Sequence, residues 1–138
     1  MIDKAAFSLE KYTFNKVKID FDSNTRKELK IAFVPSGVFK QTETESTFEL
    51  KLVFSAQDEV RSEPFIVIEC NSIFKFADNI SFEEVPSFFY ANSIAILFPY
   101  IRAFVSTVTL QANILPLVLP TMNLSSLEKP LRENTRAQ

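Results

Sequence analysis

The chain has 138 residues, with 15 Lys and Arg against 17 Asp and Glu, a net charge of −2 and no histidine. One domain fits this length and buries roughly 68% of the surface its unfolded chain exposes; a hydrophobic content of 46% excludes a disordered chain. The inventory excludes a Ser-His-Asp triad, a Cys-His pair and histidine metal ligands, while one glycine (Gly37) rules out a Gly-rich phosphate loop and one cysteine (Cys70) an intrachain disulfide or a cysteine zinc site.

The first element is strand-like, from Phe7 to Phe21. Its apolar residues change parity twice, through Phe7 and Leu9, then Tyr12 and Phe14, then Val17, Ile19 and Phe21. A uniformly half-buried strand cannot do this, so a bulge or a strand with both faces in use is predicted. Asp22-Ser23-Asn24 reads as a turn. Leu29, Ile31 and Phe33 alternate with Lys30 and Ala32. Pro35-Ser36-Gly37 then interrupts before Val38-Phe39. Proline cannot donate to a ladder, which predicts an edge strand or one broken at a loop.

Phe48, Leu50, Leu52 and Phe54 form the clearest alternation, a strand with one buried face. Gln57 to Glu63 is polar and holds the next turn. Phe65 to Phe76 is apolar on both parities, as in a central strand covered on both sides.

After Asp78 the period changes. Apolar residues at 94, 97, 98, 101, 104, 105 and 108 predict an amphipathic helix from about Ser93 to Gln111, capped by Asn92 or Ser93. Pro99 inside the pattern implies a kink or a late start. A membrane span over this segment is disfavoured, because Arg102 at its middle costs about 2.5–3.5 kcal/mol. Pro116 and Pro120 make Ala112 to Leu124 an apolar extended segment. Ser125 or Ser126 caps a short last helix that Pro130 curtails, and Asn134 to Gln138 reads as a frayed tail. The fold class is therefore α+β: a four-stranded antiparallel sheet with one long helix and a short C-terminal helix packed on one face.

Catalytic constellations are absent from the pattern. Asp58-Glu59 and Glu83-Glu84 are neighbours that point apart and suit a solvated surface. Cys70 lies in an apolar strand with no cation beside it and reads as an inert thiol. Arg102 suits solvent or a carboxylate partner. Lys11, Lys16 and Lys18 suit a solvated face or the guarding of an edge. Phenylalanine, 15 residues against three Tyr and no Trp, fills a core or lines a greasy binding surface. One helix covers one sheet face, so the remaining apolar surface calls for a second copy or a client chain. No enzyme activity, cofactor, nucleic-acid partner or membrane insertion is expected. With one thiol and no apolar leader after Met1-Ile2-Asp3-Lys4, the expected location is the cytoplasm.

Ile96-Leu97-Phe98-Pro99-Tyr100-Ile101-Arg102 resembles the LFPYAR core of the SecB protein-export chaperones. Leu115 to Asn123, with its two prolines, is similar to that family's PQLNLAPVNF region, and Asn71-Ser72-Ile73-Phe74 to its GGIF. The resemblance implies a single SecB-like domain over residues 1–138 and a dimer or a dimer of dimers. It implies an ATP-independent holdase for unfolded or precursor polypeptides, acting in protein export or as a dedicated partner such as an antitoxin chaperone. The client groove it implies has Leu29, Ile31 and Phe33 on one wall and Met122, Leu124, Leu127 and Leu131 on the other; the first three equally suit a core. Export members face the SecA motor with acidic residues. Here Lys16, Asp20 and Val67 stand at those positions, leaving Asp20 as the candidate SecA-facing residue.

Overall fold

The structure, a computed structural model, describes residues 5–21, 29–59 and 62–138. Strands β1 (Phe7–Ile19), β2 (Leu29–Gln41), β3 (Ser46–Asp58) and β4 (Ile66–Phe76) precede helix α1 (Ser87–Gln111), helix α2 (Glu128–Glu133) and strand β5 (Thr135–Ala137). The sheet order is β1-β4-β3-β2-β5, antiparallel throughout except for the parallel β2–β5 pair. The sheet thus has five strands rather than four. The Asp22-Ser23-Asn24 turn lies outside the described residues.

The double parity switch in β1 is built as two irregularities in its pairing with β4, between Leu9 and Lys11 and between Phe14 and Lys16. Each extra residue re-aims the strand. Phe7, Leu9, Tyr12, Phe14, Val17 and Ile19 therefore all fall on the parity of β4's core-facing residues. β3 supplies the centre of that core, with Phe48, Leu50, Leu52, Phe54 and Ala56 fully buried. Its alternation runs on to Asp58, which is 2% exposed rather than solvated.

β4 is central, but only one of its faces is covered by another layer. Ile66, Ile68, Cys70, Ser72, Phe74 and Phe76 are buried, whereas Val67, Glu69, Asn71 and Ile73 are half-buried on the opposite side. Those residues lie in register with Lys18, Lys16, Thr13 and Lys11 of β1. Flanking strands thus shelter apolar side chains that would otherwise call for a second layer.

α1 begins at Ser87 after Pro86, six residues before the predicted start. Ser93 is no cap: it is buried within the helix and its hydroxyl donates to the Tyr90 carbonyl (3.2 Å). The early start is held by Phe89, whose ring meets Phe7 (4.7 Å), Phe48 (4.8 Å) and Phe76 (5.0 Å). Pro99 does not delay the helix. It sits on the exposed side, where water can take the Ala95 carbonyl it leaves without a partner. Asn113, with φ of 60°, ends the helix: its N–H bonds the Leu110 carbonyl and that of Ile114 the Thr109 carbonyl. This pairing satisfies the last carbonyls, and asparagine tolerates the left-handed backbone. α1 is long and apolar enough to cross a membrane by composition; here its buried stripe of Ile94, Leu97, Ile101 and Val105 belongs to the core shared with the sheet.

Ala112 and Asn113 form the turn that closes α1 rather than part of an extended run, and residues 115–123 then follow with neither helix nor strand, with Leu119 buried and Leu115 and Val118 exposed. Thr109 holds this segment, accepting from the Leu117 N–H (2.9 Å) while donating to the Val105 carbonyl (2.8 Å). Asn123, not Ser125 or Ser126, caps the 3₁₀ turn Leu124–Leu127 by accepting from the Ser125 N–H (3.1 Å). Pro130 lies in the first turn of α2, where its missing N–H is not needed, so it does not shorten the helix.

The C-terminal residues are a strand, not a frayed tail. Thr135–Ala137 pairs with Gly37–Phe39, and the Asn134 side chain donates to the Pro35 carbonyl (3.2 Å). Gly37 is where this closure is tightest, since a Cβ there would collide with the Phe48 ring and the Thr135 hydroxyl. Gly37→Ala is accordingly expected to destabilise the chain by about 1–3 kcal/mol. A denaturant titration checks this; an unchanged midpoint would show that β5 yields freely.

Candidate functional site

The groove residues predicted on β2 carry two properties at once. The Gly37 N–H donates to the Asn134 carbonyl (3.1 Å) and the Gln138 N–H to the Phe39 carbonyl (2.8 Å). Odd-numbered residues of β2 therefore direct their backbone groups away from β3. Pro35 is one of them, so its missing N–H costs the β2–β3 ladder nothing. Leu29, Ile31 and Phe33 share that parity. β5 pairs only with Gly37–Phe39, and among the described residues no strand pairs with the edge from Leu29 to Ser36.

The side chains of Leu29, Ile31 and Phe33 lie on the α1 side of the sheet, half-buried against the core. Phe33 turns its ring towards Phe54 (5.3 Å) and towards Phe98 of α1 (5.8 Å). β2 also contacts the 3₁₀ turn and α2. Met122, Leu124 and Leu127, which the resemblance assigns to the other wall, are again half-buried. Leu131 differs, being fully buried beneath the wall as part of the core. Phe98 was not anticipated as a groove residue; helical periodicity signals burial but not which strand a side chain meets.

α2 is fixed to the start of α1 by Arg132. Its guanidinium lies 4.5 Å from the centre of the Tyr90 ring, donates to the Ser87 carbonyl (3.2 Å) and pairs with Glu128 (3.3 Å). Burial raises the Tyr90 pKa, and the Arg132 charge partly opposes that. α2 is thus seated against the start of α1, while Leu124 and Leu127 of the preceding turn stay half-buried.

Asp20 lies elsewhere. It follows β1, exposed, with its N–H bonded to the Phe65 carbonyl (2.7 Å), and β4 and β3 separate β1 from β2. Lys16 and Val67 are on the sheet face away from α1. On that face Glu69 pairs with Lys51 (2.8 Å) and accepts from Asn15 (2.6 Å). Those bonds, helped by Lys16, hold its carboxyl below the usual carboxylate range.

Burial pushes the Cys70 thiol up to about 11 and the residue is 0% exposed, in keeping with an inert thiol. A thiol reagent at neutral pH is expected to label it roughly a hundredfold more slowly in the native than in the unfolded chain. Equal rates would show β4 open to solvent. Among the described residues, no cluster of acidic or thiol groups could hold a metal ion.

Comparison with known proteins agrees with this architecture. The family described as preprotein translocase subunit SecB matches residues 8–132. The uncharacterised protein MJ0357 of Methanocaldococcus jannaschii is 36% identical over 86 residues, 59% of this chain and 55% of that protein, so the match spans about half the relative's length. Among solved structures, the Mycobacterium tuberculosis Rv1957 SecB-like chaperone, in complex with a ChAD peptide from the Rv1956 HigA1 antitoxin, aligns with a TM-score of 0.65 at 16% identity. That alignment covers 86% of this chain and 88% of the other. A family match running from the first strand into the last helix, on a fold with the expected sheet and helices, makes this chain a member of the SecB family.

Proposed function

We propose that the chain is an ATP-independent holdase that takes extended apolar segments of unfolded polypeptides into the groove between β2 and the C-terminal wall. The observation that carries this reading is the coincidence on Leu29, Ile31 and Phe33 of half-buried side chains with an unpaired strand edge. An extended segment would add to that edge through its backbone and place alternate side chains against the groove. Backbone pairing is indifferent to sequence, so affinity would follow client hydrophobicity and length. Burying apolar area contributes about 25 cal/mol per Å², and ordering a flexible client cancels much of it.

The reading includes self-association. Ile96, Tyr100 and Leu110 of α1 and Tyr12 of β1 stay exposed, with the Tyr12 and Tyr100 rings tilted against each other at 4.4 Å. A second copy would cover this surface. Docking on SecA through acidic residues fits less well, because Lys16 and Val67 occupy two of the three positions the resemblance assigns to it.

A second reading, a dedicated chaperone of one partner, is favoured by the antitoxin peptide held by the M. tuberculosis protein. Aggregation of a chemically unfolded substrate, followed by light scattering, tests the first. Suppression at stoichiometric ratios is expected, and unimpeded aggregation would refute a general holdase. Recovery of one dominant partner on co-purification would support the second reading.

A further inference from the structure

The sheet face away from α1 carries a charge opposite to that of the chain. Strand registers place Lys11, Lys16, Lys18, Lys30, Lys40, Lys51, Lys75 and Arg136 on it. These are eight of the chain's 15 basic residues, against five acidic ones among the described residues: Glu49 and Glu69 on the strands, Glu10 beside Ser8, Glu45 at the rim, and Asp20, which carries the parity of Lys16 and Lys18 one pair further, opposite Phe65. Among the described residues the face is thus positive by three on a molecule of net charge −2. Three ion pairs, Lys40–Glu49, Lys51–Glu69 and Lys75–Glu45, use up part of it. Lys11, Lys18, Lys30 and Arg136 have no ion-pair partner among the described residues. The face is also hollowed: a cavity of about 530 Å³ opens on it, lined in part by Lys11, Thr13, Lys51, Asn71, Ile73 and Arg136.

We infer that this face docks an acidic polypeptide segment of a partner protein. Charge complementarity selects the sign of the partner. The arrangement selects its class. Glu49 and Glu69 stand in the middle of the face and would repel a continuous phosphate backbone, whereas carboxylate side chains spaced along a peptide can reach the lysines between them. None of the described residues that the strand registers place on this face is aromatic, so these strands offer no platform on which nucleic-acid bases could stack. Val34, Val38, Val53 and Ile73 add apolar surface between the charges, which a peptide can also use. The surface is on the opposite side of the sheet from the groove, and the inference does not depend on what the groove holds.

The test uses the full chain and a labelled peptide of alternating Glu and Ala, followed by fluorescence anisotropy. Binding is expected to weaken as salt is added, and to weaken about tenfold or more in the double variant Lys11→Glu, Arg136→Glu. Both side chains are exposed, and circular dichroism checks that the variant is folded. Ile31→Asp, in the groove, is expected to leave this binding unchanged, which separates the two surfaces. A Lys/Ala peptide binding equally well, or full binding by the double variant, would overturn the inference. So would tighter binding of a single-stranded oligonucleotide, which would make the face a nucleic-acid surface.

Discussion

Ile31→Asp is expected to weaken capture of an unfolded polypeptide by at least about tenfold while leaving the fold in place. Tenfold corresponds to about 1.4 kcal/mol, and a fully buried aliphatic side chain contributes about 1.5–3 kcal/mol. Ile31 is half-buried on the groove side of β2, opposite Ala56, and its backbone faces the open edge. A carboxylate there would have to be desolvated by each arriving client. Ile31 is a better choice than Phe33, whose ring packs on Phe54 and Phe98 and would confound binding with stability. Anisotropy of a labelled unfolded peptide measures the effect, with thermal unfolding as control. Wild-type affinity in a folded variant would remove the groove from β2.

The largest loss of stability is expected from Phe89→Ala. Phe89 is fully buried and its ring meets five others, those of Phe7, Phe48, Phe74, Phe76 and Tyr90. Truncating such a side chain costs about 3–5 kcal/mol, a large part of the roughly 5–15 kcal/mol that holds a domain together. The midpoint of thermal unfolding is expected to fall by roughly 10–20 °C. Phe14→Ala, which removes a ring stacked on Phe104 (4.0 Å) in a half-buried place, is expected to cost clearly less. Equal losses would mean that the first turns of α1 are not anchored as described.

Legibility in the sequence followed the reach of the forces involved. The two irregularities of β1 were readable because parity is a local property of alternating side chains. β3 was readable for the same reason. α1 was readable over its periodic part but not at its start, because Phe88-Phe89-Tyr90 suits a strand as well as a helix and Pro99 argued for delay. Only packing against Phe7, Phe48 and Phe76 decides the matter. β5 had no apolar pattern to betray it: Thr135-Arg136-Ala137 is ordered through its backbone, on an edge that Gly37 keeps clear. The apolar residues proposed for the two groove walls were legible as apolar. Their division into half-buried ones and the buried Leu131 depends on how α2 seats against α1, through Arg132 and Tyr90. The basic face was hidden because its basic residues come from five strands and converge only once the registers are known.

A molecule that leaves a strand edge beside exposed apolar side chains risks recruiting its own copies end on end into fibres. β5 limits that hazard. By occupying Gly37–Phe39, with Asn134 holding the Pro35 carbonyl, it leaves open on β2 only Leu29 to Val34, about 20 Å of extended chain at roughly 3.3 Å per residue. A visiting strand that grows along β2 meets β5 and must turn away, so the edge can hold a short stretch of another chain without templating an unlimited one. The outer edge of β1, at the other side of the sheet, has no such neighbour among the described residues, so this restraint acts on the β2 side alone, through residues far in sequence from the strand they shorten.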